Sequence, residues 1–239
     1  MVKQKKQDKK SKKKPSKKQI QDKQVMWTVV LMVSLILIII LVPFIVKNFI
    51  NKFVYINLDF QKTKLGKIDF YSTEIPIADR ADNIIGKYTM NFRNDPRKLE
   101  SINTELSGSE IGFNAGEVVY ISLDSKMQGC EDIGIGLINF VGFLRGFANL
   151  EVNSSVNDPQ AAAENNLEYI TCENSPDNTV IQLSNGDENK IEKIKTNCYS
   201  IVYKDCEITQ VTERFSLLVL ENYMSYFTKE SNSFLDWFK

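Results

Sequence analysis

Val118-Val119-Tyr120-Ile121-Ser122-Leu123 is a continuous apolar run that stops at Asp124. Such a run reads as a buried strand. Residues 132 to 147 follow as a helix, with Leu137, Val141 and Leu144 on one stripe. Leu150-Glu151-Val152 is then a short strand, and Asp158-Pro159 opens a short helix reaching Glu164. Tyr169-Ile170-Thr171-Cys172, Val180-Ile181-Gln182-Leu183 and Cys198 to Tyr203 are further strands. Asn185-Gly186 predicts a hairpin turn into Ile191 and Ile194. Ile208, Val211, Phe215, Leu218, Val219 and Tyr223 give the last element an apolar helical face. Leu217 to Leu220 suit a strand equally well, so residues 208–228 keep both readings. Strand-helix-strand alternation predicts a layered sheet that is at least partly parallel.

Upstream of residue 115 the pattern differs. Val54, Ile56, Leu58 and Phe60 alternate with Tyr55, Asn57 and Asp59, which predicts one strand of period two. Ile68-Asp69-Phe70-Tyr71 is a second strand after the turn at Gly66, and Tyr88, Met90 and Phe92 mark a third. The expected fold is therefore α+β / α/β. It has one N-terminal transmembrane helix, a small antiparallel β unit, then a mixed sheet with flanking helices. The expected division is a disordered Lys-rich tail at 1–24, a span at 25–46, a membrane-proximal β-rich unit at 52–114 and an α/β unit at 115–239.

Charge is segregated along the chain. Its 239 residues carry 30 basic and 30 acidic side chains and no histidine. Up to Val25 there are eleven lysines against Asp8 and Asp22, a net of +9; from Lys47 onward 19 basic and 28 acidic residues give −9. The 22 positions from Val25 to Val46 carry no charge, and as a helix they would run about 33 Å, enough to cross a bilayer core. Trp27 at one end and Phe44, Phe49, Phe53 and Tyr55 around the other suit the two interfaces. A cleaved signal would have a shorter apolar region followed by small residues, whereas Pro43-Phe44-Ile45-Val46-Lys47 is bulky. The expectation is an uncleaved single-pass anchor in the cell membrane, with the lysine tail cytoplasmic and the C-terminal portion outside. Anionic headgroups are the partner the tail suggests. With no arginine or aromatic residue interleaved, nucleic acid is not expected.

Cys130, Cys172, Cys198 and Cys206 all fall in the outer portion, and an even number there fits two disulfides. Four cysteines allow three connectivities. Cys130 follows one parallel strand and Cys172 ends another, which places both at one sheet edge and favours Cys130 with Cys172 and Cys198 with Cys206. No C-x-x-C spacing supports zinc.

Histidine-dependent triads, dyads and metal sites are excluded. Gly134-Ile135-Gly136 opening a helix has the start of a dinucleotide-binding turn, but Asn139 stands where the third glycine belongs. Close packing of Gly136, Gly142 and Gly146 against the sheet is the better account, and no cofactor is expected. Asp124 with Gly129 fails as a calcium loop, since Ile135 occupies the position of the bidentate acid. Arg93-Asn94-Asp95-Pro96-Arg97-Lys98-Leu99 concentrates two of five arginines in one turn. Arg93 and Arg97 are the candidate contacts for an anion, against a reading in which Asp95 pairs with one of them to fix the strand exit. Phe234, Trp237 and Phe238 form a C-terminal aromatic cluster suited to docking on the domain, the membrane or a partner.

The lysine-heavy tail, single anchor, Arg93-to-Leu99 turn and Cys198-Tyr199 with Cys206-Glu207 together resemble archaeal single-pass membrane-anchored proteins of unassigned function. That resemblance implies an envelope location and no activity. The leading expectation is a non-enzymatic interaction or structural module of the envelope, contacting another protein or polymer. The second is a domain binding an anionic or sugar-like solute, and the third a carboxylate-dependent hydrolase. A module should expose an apolar patch, a binder should have a deep pocket of convergent polar groups, and an enzyme should add perturbed carboxylates.

Overall fold

The computed structural model describes residues 17–45, 51–79, 83–106, 111–113, 116–125, 127, 130 and 133–236. Residues up to Ile50 and from Asn51 onward form two compact units. In the first, α1 (Lys17–Ile45) contains an apolar stretch, Val25–Ile45, of 21 residues. Its side chains are exposed throughout. It is long and apolar enough to cross a membrane, and Pro43 falls in its last turn.

The second unit begins with an antiparallel meander of β1 (Lys52–Tyr55), β2 (Leu58–Leu65), β3 (Ile68–Ala78) and β4 (Ile84–Phe92). The single strand expected from Val54 to Phe60 is two strands. Ile56 and Asn57 form a two-residue turn with φ of 47° and 59°, so that Phe53 faces Phe60 and Tyr55 faces Leu58. Left-handed backbone at both positions is the hairpin geometry that matches strand twist. A two-residue turn also leaves the period of two unbroken, which is why the alternation concealed it.

A short 3-10 helix (Pro96–Ser101) leads to β5 (Asn103–Thr104). The chain continues through β6 (Val118–Leu123), α2 (Ile133–Gly146), β7 (Glu151–Val156), α3 (Pro159–Asn165) and β8 (Glu168–Tyr169). It ends with β9 (Thr179–Asn185), β10 (Lys190–Lys195), β11 (Cys198–Tyr203) and α4 (Ile208–Asp236). These strands form a mixed sheet in the order β5-β10-β11-β9-β6-β7-β8. Asn185-Gly186 does not pair β9 with β10. β11 lies between them, parallel to β9 and antiparallel to β10. A side chain at Gly186 would run into Val202 of β11, so the chain leaves β9 through a glycine.

One apolar core joins the two sheets. Phe60, Ile75 and Phe92 of the meander, Val119, Ile181, Leu183 and Tyr199 of the mixed sheet, and Phe140, Phe143 and Phe215 of the helices all belong to it. β5 already belongs to the second sheet, so the change of architecture falls ahead of residue 103. α4 is buried at every position from Val211 to Leu220, which resolves residues 208–228 as helix. A helix enclosed all round loses its polar stripe, and its centre then reads like a strand. On α2 the deepest residues are Gly136, Phe140, Phe143 and Leu144, while Leu137 and Val141 are half-buried. Of the glycines, Gly136 packs on α4, where a Cβ would meet Ile208 and Thr209, and Gly146 packs on Tyr88 of β4. A Cβ on Gly142 would meet nothing within 4 Å, though its carbonyl accepts from the Tyr88 hydroxyl.

The cysteines pair as Cys130–Cys206 and Cys172–Cys198, with Cα separations of 5.5 and 5.6 Å. The expected pairing fails because Cys130 and Cys172 are on opposite faces of the sheet. The strand sequence β6-β7-β8 steps in one direction and β9 returns to the far side of β6. If all these crossovers are right-handed, the return must cross the other face. There, Ser122 of β6 donates to the Ile170 carbonyl, and Cys172, Val180 and Cys198 form a small separate cluster with Ile170. Cys130 instead packs against the main core, where its disulfide joins the approaches to α2 and α4.

Candidate functional site

Thr212-Glu213-Arg214 places two charges inside the buried stretch of α4, with only 4% and 8% of Glu213 and Arg214 exposed. Each is carried to a different part of the meander. Glu213 accepts hydrogen bonds from the Arg93 backbone N–H at 2.5 Å, the Asn94 backbone N–H at 3.1 Å and the Asn94 side-chain amide at 2.8 Å. Burial pushes its carboxyl up to about 7, and the hydrogen bonds from residues 93 and 94 only partly offset that. Arg214 reaches the Tyr55 hydroxyl at 3.5 Å. Burial is also the main reason the Tyr55 phenol rises to about 12, with Arg214 opposing it.

The turn that Glu213 holds is built from its own residues. Asp95 caps the 3-10 helix by accepting from the Arg97 N–H, and Pro96 occupies the first helical position. The Arg97 guanidinium forks onto Asp95 at 2.9 and 2.6 Å and lies 3.9 Å from the centre of the Phe53 ring. That fork holds the Asp95 carboxyl below its ordinary range.

Arg93 and Arg97 are not brought to one pocket. Arg93 lines an open groove of about 570 Å³ with Lys67, Asp69, Asn94, Asp205 and Glu207, and Arg97 is not among its walls. That groove mixes both signs of charge. Phe234 falls in the last part of α4, and Trp237 and Phe238 lie outside the described residues. Among the described residues no group of three His, Cys, Asp or Glu is placed to hold a metal.

A narrow crevice of about 10 Å³ separates α2 from α4 beside Glu213, lined also by Asn91, Gly136, Asn139, Thr209, Thr212 and Ser216. It is large enough for one water and too small for an organic substrate. Nearer the surface, β4 and α2 flank an uncharged groove of about 210 Å³, walled by Tyr88, Thr89, Met90, Asn91, Ile138, Asn139, Gly142 and Phe143. Ile138 is 72% exposed, Ile84 65% and Ile85 67%. β4 pairs only with β3, and its other edge carries no strand among the described residues.

No protein-family model, curated protein or solved structure matches this chain.

Sequence reading alone did not single out Glu213, Thr209 or the β4 edge. The signal for Glu213 was present, since an adjacent acid and base are the only charges from Ile208 to Leu220. The signal for the edge was not, because nothing local says which strand of a meander is last.

Proposed function

We propose that this protein is a single-pass envelope module, anchored by Val25–Ile45, whose folded unit works outside the cytoplasm by holding another envelope protein or polymer. Eleven lysines ahead of the span favour a cytoplasmic N-terminus, with anionic headgroups as the tail's contact. Two disulfides in the folded unit favour an oxidising compartment for it. The observation that carries the interaction reading is the unpaired edge of β4 beside an uncharged groove, with Ile138 exposed in its wall and Ile84 and Ile85 exposed at the start of the same strand. An unpaired strand edge next to a helix suits an extended peptide, whose backbone continues the sheet while an apolar side chain meets Ile138. The neutral walls favour an uncharged segment, in a unit otherwise rich in acids.

The solute reading rests on Arg93 and Arg97, which have separate surroundings. The hydrolase reading has one raised carboxyl among the described residues, Glu213, beside a space too small for a substrate. Two experiments test the module. An impermeant maleimide applied to intact cells should label cysteines only after an impermeant reductant; labelling only after lysis would refute the topology. A photo-crosslinker at Ile138 should capture one defined partner segment that the same group at Ile194, exposed on β10, does not. Equal capture at both positions, or binding abolished by Arg93→Ala with Arg97→Ala, would refute the β4 edge as the contact.

A further inference from the structure

The crevice beside Glu213 holds an unsettled hydrogen-bond account. Thr209 Oγ1 is enclosed and has no hydrogen-bond partner among the described residues, and Thr209 as a whole is 9% exposed. It sits between α4 and α2, 3.1 Å from the point a Cβ on Gly136 would occupy. The absent side chain of Gly136 helps leave the space open. Thr212 and Ser216 also line it, but their hydroxyls donate back to the carbonyls of Ile208 and Thr212. They offer the crevice only lone pairs. A carboxylate has about four acceptor positions, and the N–H groups of residues 93 and 94 take three of those on Glu213. What remains is one hydroxyl without a partner, one carboxylate position without a donor, and room for about one water between them.

We propose that this crevice is the binding site of one internal water, which accepts from Thr209 Oγ1, donates to the Glu213 carboxylate, and keeps that carboxyl in proton exchange with solvent. A water satisfies both leftover groups at once, and buried polar groups are seldom left unsatisfied. A cation is the poorer occupant, because the N–H groups already pointing at the carboxylate would face it. Access to solvent is short on two sides. Thr209 also lines the open groove at Arg93, and Asn91 and Asn139 also wall the groove between β4 and α2. When a proton enters, the water passes one of its own to the carboxylate and takes one from the solvent side. The water ends unchanged and the carboxylate becomes a carboxylic acid.

Few charges compete for control of that proton. Arg93 faces Glu213 from the turn and favours the charged form. The crevice walls supplied by β4 and α2, namely Met90, Asn91, Gly136, Asn139 and Phe140, are uncharged. On α4 itself, Arg214 is directed to Tyr55.

The test is Thr209→Val in the full chain in detergent micelles, a change that keeps the shape and removes the hydroxyl. With the water present, Thr209→Val lowers Tm and raises the Glu213 titration midpoint, followed by the carboxyl carbon shift, by about half a pH unit, roughly threefold in proton affinity. A dry crevice gives the opposite sign: Tm rises because an unsatisfied hydroxyl is gone, the midpoint stays, and the proposal is overturned. Should Thr209→Val not fold, wild-type protein decides. The acceptor position left open is on Glu213 Oε1, which takes only the Arg93 N–H. A long-lived water cross-peak to the Arg93 amide, kept in Thr209→Ser, supports the site, and its absence overturns it.

Discussion

Glu213→Gln probes the buried carboxyl through the pH dependence of stability. In the unfolded chain the carboxyl titrates near 4.5, and in the folded protein burial holds it near 7. Between those values the folded state keeps a proton that the unfolded chain has released, so stability falls as pH rises. The contribution is complete below pH 4.5 and gone above pH 7. A displacement of about 2.5 pH units at 1.36 kcal/mol each is about 3 kcal/mol, with little discount for solvent because 4% of the residue is exposed. Glutamine resembles the protonated acid but turns an NH2 group toward one of the N–H donors of residues 93 and 94, a fixed loss of about 1 kcal/mol. The variant should therefore be about 1 kcal/mol less stable than wild type below pH 4.5 and about 2 kcal/mol more stable above pH 7.5. Urea unfolding of both proteins in micelles, at half-unit steps from pH 4 to 8, would trace the crossing. Groups such as Asp95, lowered by Arg97, contribute equally to both curves and cancel in the difference. Parallel curves across this range would refute the reasoning.

The two disulfides should differ in worth. Cys130–Cys206 spans 76 residues and Cys172–Cys198 spans 26, so chain-entropy arithmetic gives losses of about 4.5 and about 3.5 kcal/mol on replacing each pair with alanine. Denaturant midpoints would check the order, and non-reducing peptide mapping of the singly deleted proteins would check the pairing. Asp95→Ala removes the cap of the 3-10 helix and the seat of Arg97 and should cost about 1 kcal/mol. Because Asp95 is lowered in the fold, that contribution is present above its unfolded pKa and lost as pH falls through the folded value. The gap between wild type and variant should therefore close in acid, and a gap that widened in acid would contradict the assignment.

Much of the architecture was legible because local rules and tertiary structure agree. Val118–Leu123 is apolar at every position but Ser122, whose hydroxyl donates to the Ile170 carbonyl, because both faces of β6 are covered. Asp158-Pro159 starts a helix because the Asp158 carboxylate caps Gln160 and Ala161. Where the reading failed, a non-local fact had decided the outcome. The β1–β2 turn was hidden by a period that survives it. The placing of β11 between β9 and β10 depends on parallel pairing with a strand already passed. The disulfides turned on which face of the sheet a loop crosses, a consequence of crossover handedness over the whole sheet order rather than of any spacing among the four cysteines.

Glu213 shows how a site can be written in a sequence and still be passed over. Apolar spacing along residues 208–223 makes α4 a core helix, and a core helix has no solvated side on which to put Glu213 and Arg214. Two adjacent charges in such a segment must each find a partner, because an unpaired buried charge is too costly to keep. The partners were to be sought where backbone N–H groups are left over, and an Asn-Asp-Pro turn leaving a strand supplies them. Arg93 was singled out for its guanidinium, yet it is the Arg93 backbone N–H that the buried acid takes. In the sequence Gly136 stands out for a dinucleotide-binding turn or for packing on the sheet. Its place is opposite Thr209, where a missing side chain leaves the space beside the carboxyl. The residue types were therefore informative, but the atoms that matter at Arg93 and Gly136 are not the ones for which those residues usually draw notice.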